Sequence, residues 1–216
     1  MARTAVFGGS FNPIHYGHLL LADEILEQLA LDRVLFVPAG SPPHKPVGSL
    51  APAADRHAMV VLATADHPGF AVSDLELTRP GPSYTVDTLE TLARGGDELY
   101  LLVGSETFLD LLSWRAPQRV AALARLVVVP RTGSAFDPES AAARKVLQAI
   151  GAERFVHAGA APPPPATVVL ARVTSLPVSS SDLRRRAREG RSLAYRLPEA
   201  VIAYIRAGRL YGGPAA

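Results

Sequence analysis

Cysteine is absent, which excludes disulfides, zinc–thiolate centres and thiol nucleophiles. Lysine is scarce: only Lys45 and Lys145 stand among 22 basic residues, the rest being arginine. Charge of one sign is lacking as well. The 20 acidic residues nearly cancel the basic ones and leave +2 over 216 residues, too small an excess to argue for nucleic-acid binding. No apolar run reaches the roughly 18 residues that span a bilayer. The segment from Met1 to Phe7 has neither the apolar core nor the cleavage site of a secretory signal. These absences predict a cytoplasmic chain with no membrane and no nucleic-acid partner. What remains is ordinary globular material, 48% hydrophobic and 19% charged, which excludes general disorder. The length fits a single domain over 1–216, with a C-terminal helical part at about 178–210.

Short apolar runs alternate with helical periodicity along the chain. Residues 4–7 read as a buried strand that ends at Gly8 and Gly9. Leu19, Leu20, Ala22, Ile25, Leu26 and Leu29 recur at helical spacing over 15–30, and 34–37 form a second strand. That order is a right-handed βαβ unit. A Pro- and Gly-rich loop over 38–52 precedes a helix at 53–66 and a strand at 70–73. A helix is predicted at 85–93, then a central strand at 99–103, a further helix, and a strand at 126–129. A helix at 138–150 and strands at 154–157 and 168–173 follow, the strands flanking the stiff Pro162–Pro165 tract. Helices at 180–189 and 198–207 close the pattern, with Pro198 expected in the first turn of the second. The expected fold is α/β: a doubly wound, Rossmann-like, mostly parallel sheet flanked by helices.

Three constellations carry chemistry. Gly8, Gly9, Ser10, Phe11, Asn12, Pro13, His15, Gly17 and His18 lie between the first strand and the first helix. Parallel sheets bind ligands there, and glycines with a helix start let backbone N–H groups approach phosphate. His15 and His18, three apart, can face one anion. The motif is neither a dinucleotide fingerprint nor a lysine P-loop, and a metal pair lacks a third ligand at a convincing spacing. The plain alternative is a turn with two capping histidines. Ser179, Ser180 and Ser181 begin a helix that carries Arg184, Arg185 and Arg186. Helix capping accounts for one serine; hydroxyls, helix N–H groups and arginine together make a phosphate clamp. Pro42, Pro43, His44 and Lys45 form a stiff loop with two cationic side chains at its tip.

Taken in order, these motifs resemble the nucleotidylyltransferase superfamily and, within it, the bacterial nicotinate-nucleotide adenylyltransferases. The stretch from Glu76 and Arg79 through Gly81, Pro82, Ser83, Tyr84, Thr85 and Asp87 to Leu89 supports the narrower resemblance, as do Gly104-Ser105-Glu106, Trp114 and the tail with Gly190, Tyr195 and Tyr204. Three positions depart from the usual pattern: Asn12 and Glu106 stand for Asp, and Ser181 stands for Thr.

The resemblance implies adenylyl transfer from ATP to nicotinate mononucleotide, with pyrophosphate released and Mg²⁺ held mainly by the ATP phosphates and water rather than by protein ligands. It implies catalytic roles for His15, His18, Lys45 and Arg184. Gly8, Gly9, Ser10, Phe11, His18, Gly104, Glu106, Ser179, Ser180, Ser181 and Arg184 are the expected ATP contacts. Ser10, Phe11, Lys45, Tyr84, Thr85 and Trp114 are the expected contacts of the acceptor, with residues 40–50 as a lid. A homo-oligomer is compatible with this reading. Competing readings are an adenylyltransferase for nicotinamide mononucleotide or phosphopantetheine, a cytidylyltransferase, for which no strong feature of pyrimidine selection stands in the chain, a nucleotide-binding sensor without catalysis, and, least in keeping with the small net charge, a nucleic-acid module.

Overall fold

The structure is a computed structural model that describes residues 1–46, 48–130, 133 and 135–212. Seven strands form one sheet: β1 (Arg3–Gly9), β2 (Arg33–Pro38), β3 (Phe70–Val72), β4 (Glu98–Gly104), β5 (Arg125–Val129), β6 (Arg154–His157) and β7 (Thr167–Leu170). Their spatial order is β3-β2-β1-β4-β5-β7-β6, and every pairing is parallel. The sheet is thus wholly rather than mostly parallel. The helices are α1 (Tyr16–Gln28), α2 (Ala53–Thr64), α3 (Leu75–Thr78), α4 (Thr85–Ala93), α5 (Ser105–Leu109), α6 (Pro117–Leu123), α7 (Ala141–Ala149), α8 (Ser180–Arg188) and α9 (Glu199–Ala207).

Both faces of the sheet are buried, which is why its strands are continuous apolar runs rather than alternating ones. Within β4, Leu99, Leu101 and Val103 face the cluster formed with α4–α7, while Tyr100 and Leu102 face the cluster formed with α1, α2, α8 and α9. The C-terminal helices bury Leu183, Ile202 and Ile205 in the same cluster as Ala5 of β1. That packing carries the serine-led helix α8 to the sheet's carboxyl edge.

The chain winds outward from β1 to β2 on one side and resumes at β4 on the other. The strand order therefore reverses between β1 and β4, and a crevice opens at their carboxyl ends. Gly9 and Gly104 end these two strands.

Some elements differ from the sequence expectation. The single turn α3 was not expected, since four residues show no periodicity. The helix expected after β4 is divided into α5, a 3₁₀ turn (Leu111–Ser113) and α6, because Pro117 starts a new helix after Ala116 takes the left-handed conformation at φ 50°. Strand β7 stops at Leu170 instead of 173, and Pro198 caps α9 from just outside its first turn.

Candidate active site

Loop 10–15 leaves β1 and enters α1 at the crevice. Its form is set from below. Arg56 of α2 is 1% exposed and donates to the carbonyls of Ser10 at 2.8 Å, Ala51 at 2.9 Å and Gly40 at 3.2 Å. Burial pulls its guanidinium pKa downward, while the Tyr211 phenol and the Glu76 carboxylate favour the charged form. The Asn12 amide oxygen accepts from Ala51 N at 3.1 Å and from the Tyr211 hydroxyl at 3.0 Å. Asn12 therefore does the work of a turn residue through its oxygen, an atom it shares with aspartate.

Phe11 adopts φ 42°, and its ring is buried at 3% exposure in the core. A Cβ at Gly9 would stand 3.0 Å from that ring, so glycine is what lets Phe11 fold back. The Phe11 side chain is thus part of the core; only its backbone is available to a ligand. Its ring meets the His18 imidazole edge-on at 5.2 Å.

His15 and His18 stack, with ring centroids 3.8 Å apart and an interplanar angle of 23°. His15 is the N-cap of α1 and His18 lies in its first turn. The His18 Nδ1 accepts the His15 backbone N–H at 3.3 Å, which places the His18 ring proton on Nε2. Gly17 gives the pair room, since a Cβ there would lie 3.0 Å from the His15 Nδ1.

Helix α8 meets the same loop from the other side. Ser179 caps it, accepting from Asp182 N at 3.2 Å. Ser180 Oγ donates to Pro13 O at 2.9 Å. Arg184 donates to Asn12 O at 2.8 Å and to Ser181 Oγ at 3.3 Å. The three serines therefore have three different tasks, and the helix start is locked to the histidine loop. Arg184 keeps further N–H donors beyond those two bonds.

A second group lies along α4. Tyr84 is its N-cap residue, and no side chain caps its start at Thr85. Beneath it, Thr88 donates to Glu76 Oε1 at 2.6 Å and accepts from Arg79 Nη2 at 3.1 Å. Trp114 is half-buried and packs, as Tyr84 does, against the cluster formed with α4–α7. Arg115 lies over the Tyr84 ring at 4.9 Å. Glu106 is exposed in the first turn of α5, its carboxylate beside Gly104.

The loop after β2 is rooted in both groups. Ala39 N donates to Gly9 O at 2.9 Å, and Ser41 and Ser83 exchange two hydrogen bonds at 2.8 and 3.0 Å. Gly40 is required here, because a Cβ would stand 2.1 Å from the Glu76 carbonyl oxygen. Lys45 sits exposed on a turn closed by its own N–H to Pro42 O at 3.2 Å. Val47 of the expected lid lies outside the described residues.

The structure thus gathers Gly8, Gly9, Ser10, His15, His18, Ser180, Ser181 and Arg184 at one crevice, sets Tyr84, Thr85 and Trp114 on a second wall, and carries Lys45 on the exposed loop after β2. Arg56, Gly40, Tyr211 and Arg115 escaped the sequence reading. A signal for Arg56 existed: it precedes Met59 and Val60 by three and four residues, on the apolar face of α2.

Beyond Gly104, whose strand partner is Val129, a cleft of about 540 Å³ opens at the carboxyl ends of β5, β7 and β6. Phe155, His157, Arg172 and Val173 are among its lining residues. Among the described residues no three His, Asp or Glu side chains converge as a metal cage, and no helix is long and apolar enough to cross a membrane.

Residues 6–186 match the family described as cytidylyltransferase-like. A protein of Roseiflexus sp. (strain RS-1) named "Probable nicotinate-nucleotide adenylyltransferase" is 45% identical over 211 residues, covering 97% of this chain and 98% of its own. A protein of the same name from Thermus thermophilus is 44% identical over 212 residues, covering 97% and 99%. Among solved structures, Plasmodium falciparum nicotinic acid mononucleotide adenylyltransferase complexed with NaAD matches with a TM-score of 0.75 over 99% of both chains. At 20% identity that likeness is one of fold.

Proposed function

Because the chain belongs to the nicotinate-nucleotide adenylyltransferases of the cytidylyltransferase-like family, we propose that it transfers the adenylyl group of ATP to nicotinate mononucleotide, forming nicotinic acid adenine dinucleotide and pyrophosphate. The observation that carries this reading is the junction of the stacked His15–His18 pair with the serine- and arginine-bearing start of α8, at the reversal of strand order.

The attacking group is a phosphate oxygen, ionised near neutral pH, so the reaction needs no general base. It needs alignment and neutralisation of charge at the α-phosphorus. The oxygen of the acceptor phosphate forms the new bond to the α-phosphorus as the bond to the β-phosphate oxygen breaks. Pyrophosphate departs with that electron pair.

His18 presents its Nε2–H to the α-phosphate, and His15 holds the ring face-on. The backbone N–H groups at the start of α8, the Ser181 hydroxyl and the remaining N–H groups of Arg184 take the leaving phosphates, while the Ser180 hydroxyl, donated to Pro13, and the Arg184 bond to Asn12 hold them in place. Backbone N–H groups of residues 8–11 lie against both nucleotides. Lys45 adds charge when its loop, rooted at Gly40 and Ser41, closes over the crevice. Gly104 and Glu106 line the adenosine side, and the cleft beside them receives the base. The open start of α4 at Thr85, with Tyr84, supplies donors to the pyridine carboxylate, and Trp114 stacks on the cationic ring.

The donors at the phosphate end are imidazole, hydroxyl and guanidinium groups, which suit anions. That set fits a Mg²⁺ carried on the ATP phosphates and water. When bound, the cation lowers the charge that the departing pyrophosphate must bear.

The test is incubation of the purified chain with ATP, Mg²⁺ and nicotinate mononucleotide, followed by chromatography of the products. The dinucleotide and pyrophosphate are expected in equal amounts. ATP binding without product from any pyridine or pantetheine acceptor would overturn the reading in favour of a nucleotide sensor.

A further inference from the structure

We propose that Arg115 sets the preference for an acceptor bearing a carboxylate. This inference rests on the adenylyltransferase reading above and concerns a side chain rather than the backbone donors of α4.

Two walls of the acceptor side meet at Arg115. One is the first turn of α4, from Tyr84 to Asp87; the other is Trp114, its chain neighbour. The guanidinium carbon lies 4.9 Å from the centre of the Tyr84 ring. Its Nη1 is 3.4 Å from Asp87 Oδ2. Stacking on tyrosine fixes the plane of the fork while leaving its edge donors usable. The backbone fixes where the side chain starts: Trp114 N bonds Leu111 O at 3.0 Å, and Ala116 is held at φ 50° before Pro117 opens α6.

Arg115 is the cation in contact with Tyr84 and next to Trp114, and its own carboxylate partner is exposed. Glu90 is paired with Arg119 at 3.0 Å. Arg79 lies on the inner side of α4, its Nη2 bonded to Thr88, which in turn holds Glu76, and its Nη1 buried without a hydrogen-bond partner among the described residues. Asp87 is the carboxylate against Arg115, and that pair is exposed, with 58% and 34% of the two side chains accessible. An exposed pair is weak and exchanges readily. A pyridine carboxylate placed between Thr85 and Trp114 competes with Asp87 for the same fork. Once substrate covers the pair from water, a two-bond guanidinium–carboxylate contact strengthens.

A neutral amide gains no such contact and leaves Arg115 with Asp87. The consequence is a charge-based sieve: Arg115 attracts the acid, and unshielded Asp87 repels it when Arg115 is gone.

The experiment measures kcat/KM for nicotinate mononucleotide and for nicotinamide mononucleotide, at saturating ATP and Mg²⁺, in wild type, Arg115→Gln, Arg115→Lys and Asp87→Asn. Arg115→Gln is expected to lower the value for the acid at least tenfold and the value for the amide less than threefold, with KM for ATP unchanged. Arg115→Lys should recover part of the loss, and Asp87→Asn should keep or raise the preference for the acid. In wild type the acid-to-amide ratio should fall with added salt; in Arg115→Gln it should not. Equal losses for both acceptors would mean that Arg115 only props Tyr84, and an unchanged ratio would remove Arg115 from selection; either result overturns the proposal. Absence of product from wild type with both acceptors would instead overturn the adenylyltransferase reading on which it rests.

Discussion

The guanidinium of Arg56 donates to the carbonyl of Ser10 across 46 residues of chain, at 2.8 Å. With its bonds to Ala51 and Gly40, this one buried side chain ties α2 to both loops that border the crevice. Three carbonyls bond to it, and no apolar residue could serve them.

Arg56→Ala is therefore expected to destabilise the chain by about 3 kcal/mol. For a chain of this size the melting temperature should fall by roughly 6–12 °C. Arg56→Lys should recover less than half of that, because an ammonium lacks the planar fork. Thermal melts of the three proteins check both statements, and an unaltered melting temperature in Arg56→Ala would contradict them.

His18→Ala should lower kcat at least tenfold while the far-UV spectrum and melting temperature stay near those of wild type. The ring meets Phe11 edge-on and is not itself fully buried, so its loss opens no deep cavity. Steady-state turnover of the folded variant is the measurement.

Trp114→Ala should raise KM for the pyridine nucleotide more than KM for ATP. The ring packs with Tyr84 against the cluster formed with α4–α7, whereas the proposed ATP phosphate contacts lie where the histidine loop meets α8. Equal changes in both constants would argue that Trp114 acts through the fold and not through ring stacking.

Alkaline pH should weaken the fold through Tyr211. Burial raises its phenol pKa, more than the nearby Arg184 and Arg56 lower it. A raised pKa means that the native state favours the protonated form, so this contribution is whole below the ordinary phenol value of about 10 and is lost as pH rises beyond it. Melting temperatures followed upward from about pH 9 should fall more steeply in wild type than in Tyr211→Phe. Parallel curves would contradict the assignment.

Gly40→Ala should destabilise by several kcal/mol or prevent folding, since overpacking already costs about 1–3 kcal/mol where side chains can give way. Here the clash, at 2.1 Å, is with the Glu76 backbone. Yield of soluble protein and a thermal melt decide it.

The fold was legible because a doubly buried parallel sheet writes its strands as apolar runs, and β1, β2, β4 and β5 all stand where such runs occur. The histidine loop and the serine-led helix start were legible because their chemistry sits in consecutive residues. What stayed hidden was of two kinds. Short pieces such as α3 carry no period. Contacts between distant residues, Arg56 with Ser10 or Tyr211 with Asn12, depend on tertiary placement that no local pattern records. The serines show the same limit: the sequence marks three hydroxyls, and only packing assigns one to the cap, one to Pro13 and one to Arg184.

The chain joins an adenylyl group to a pyridine nucleotide that bears a carboxylate. The most direct measurement of that reaction is pyrophosphate release with ATP and Mg²⁺, run in parallel with nicotinate mononucleotide, nicotinamide mononucleotide and phosphopantetheine. A kcat/KM at least tenfold higher for the first than for either other acceptor is expected. Equal use of the acid and the amide, or faster use of phosphopantetheine, would contradict it.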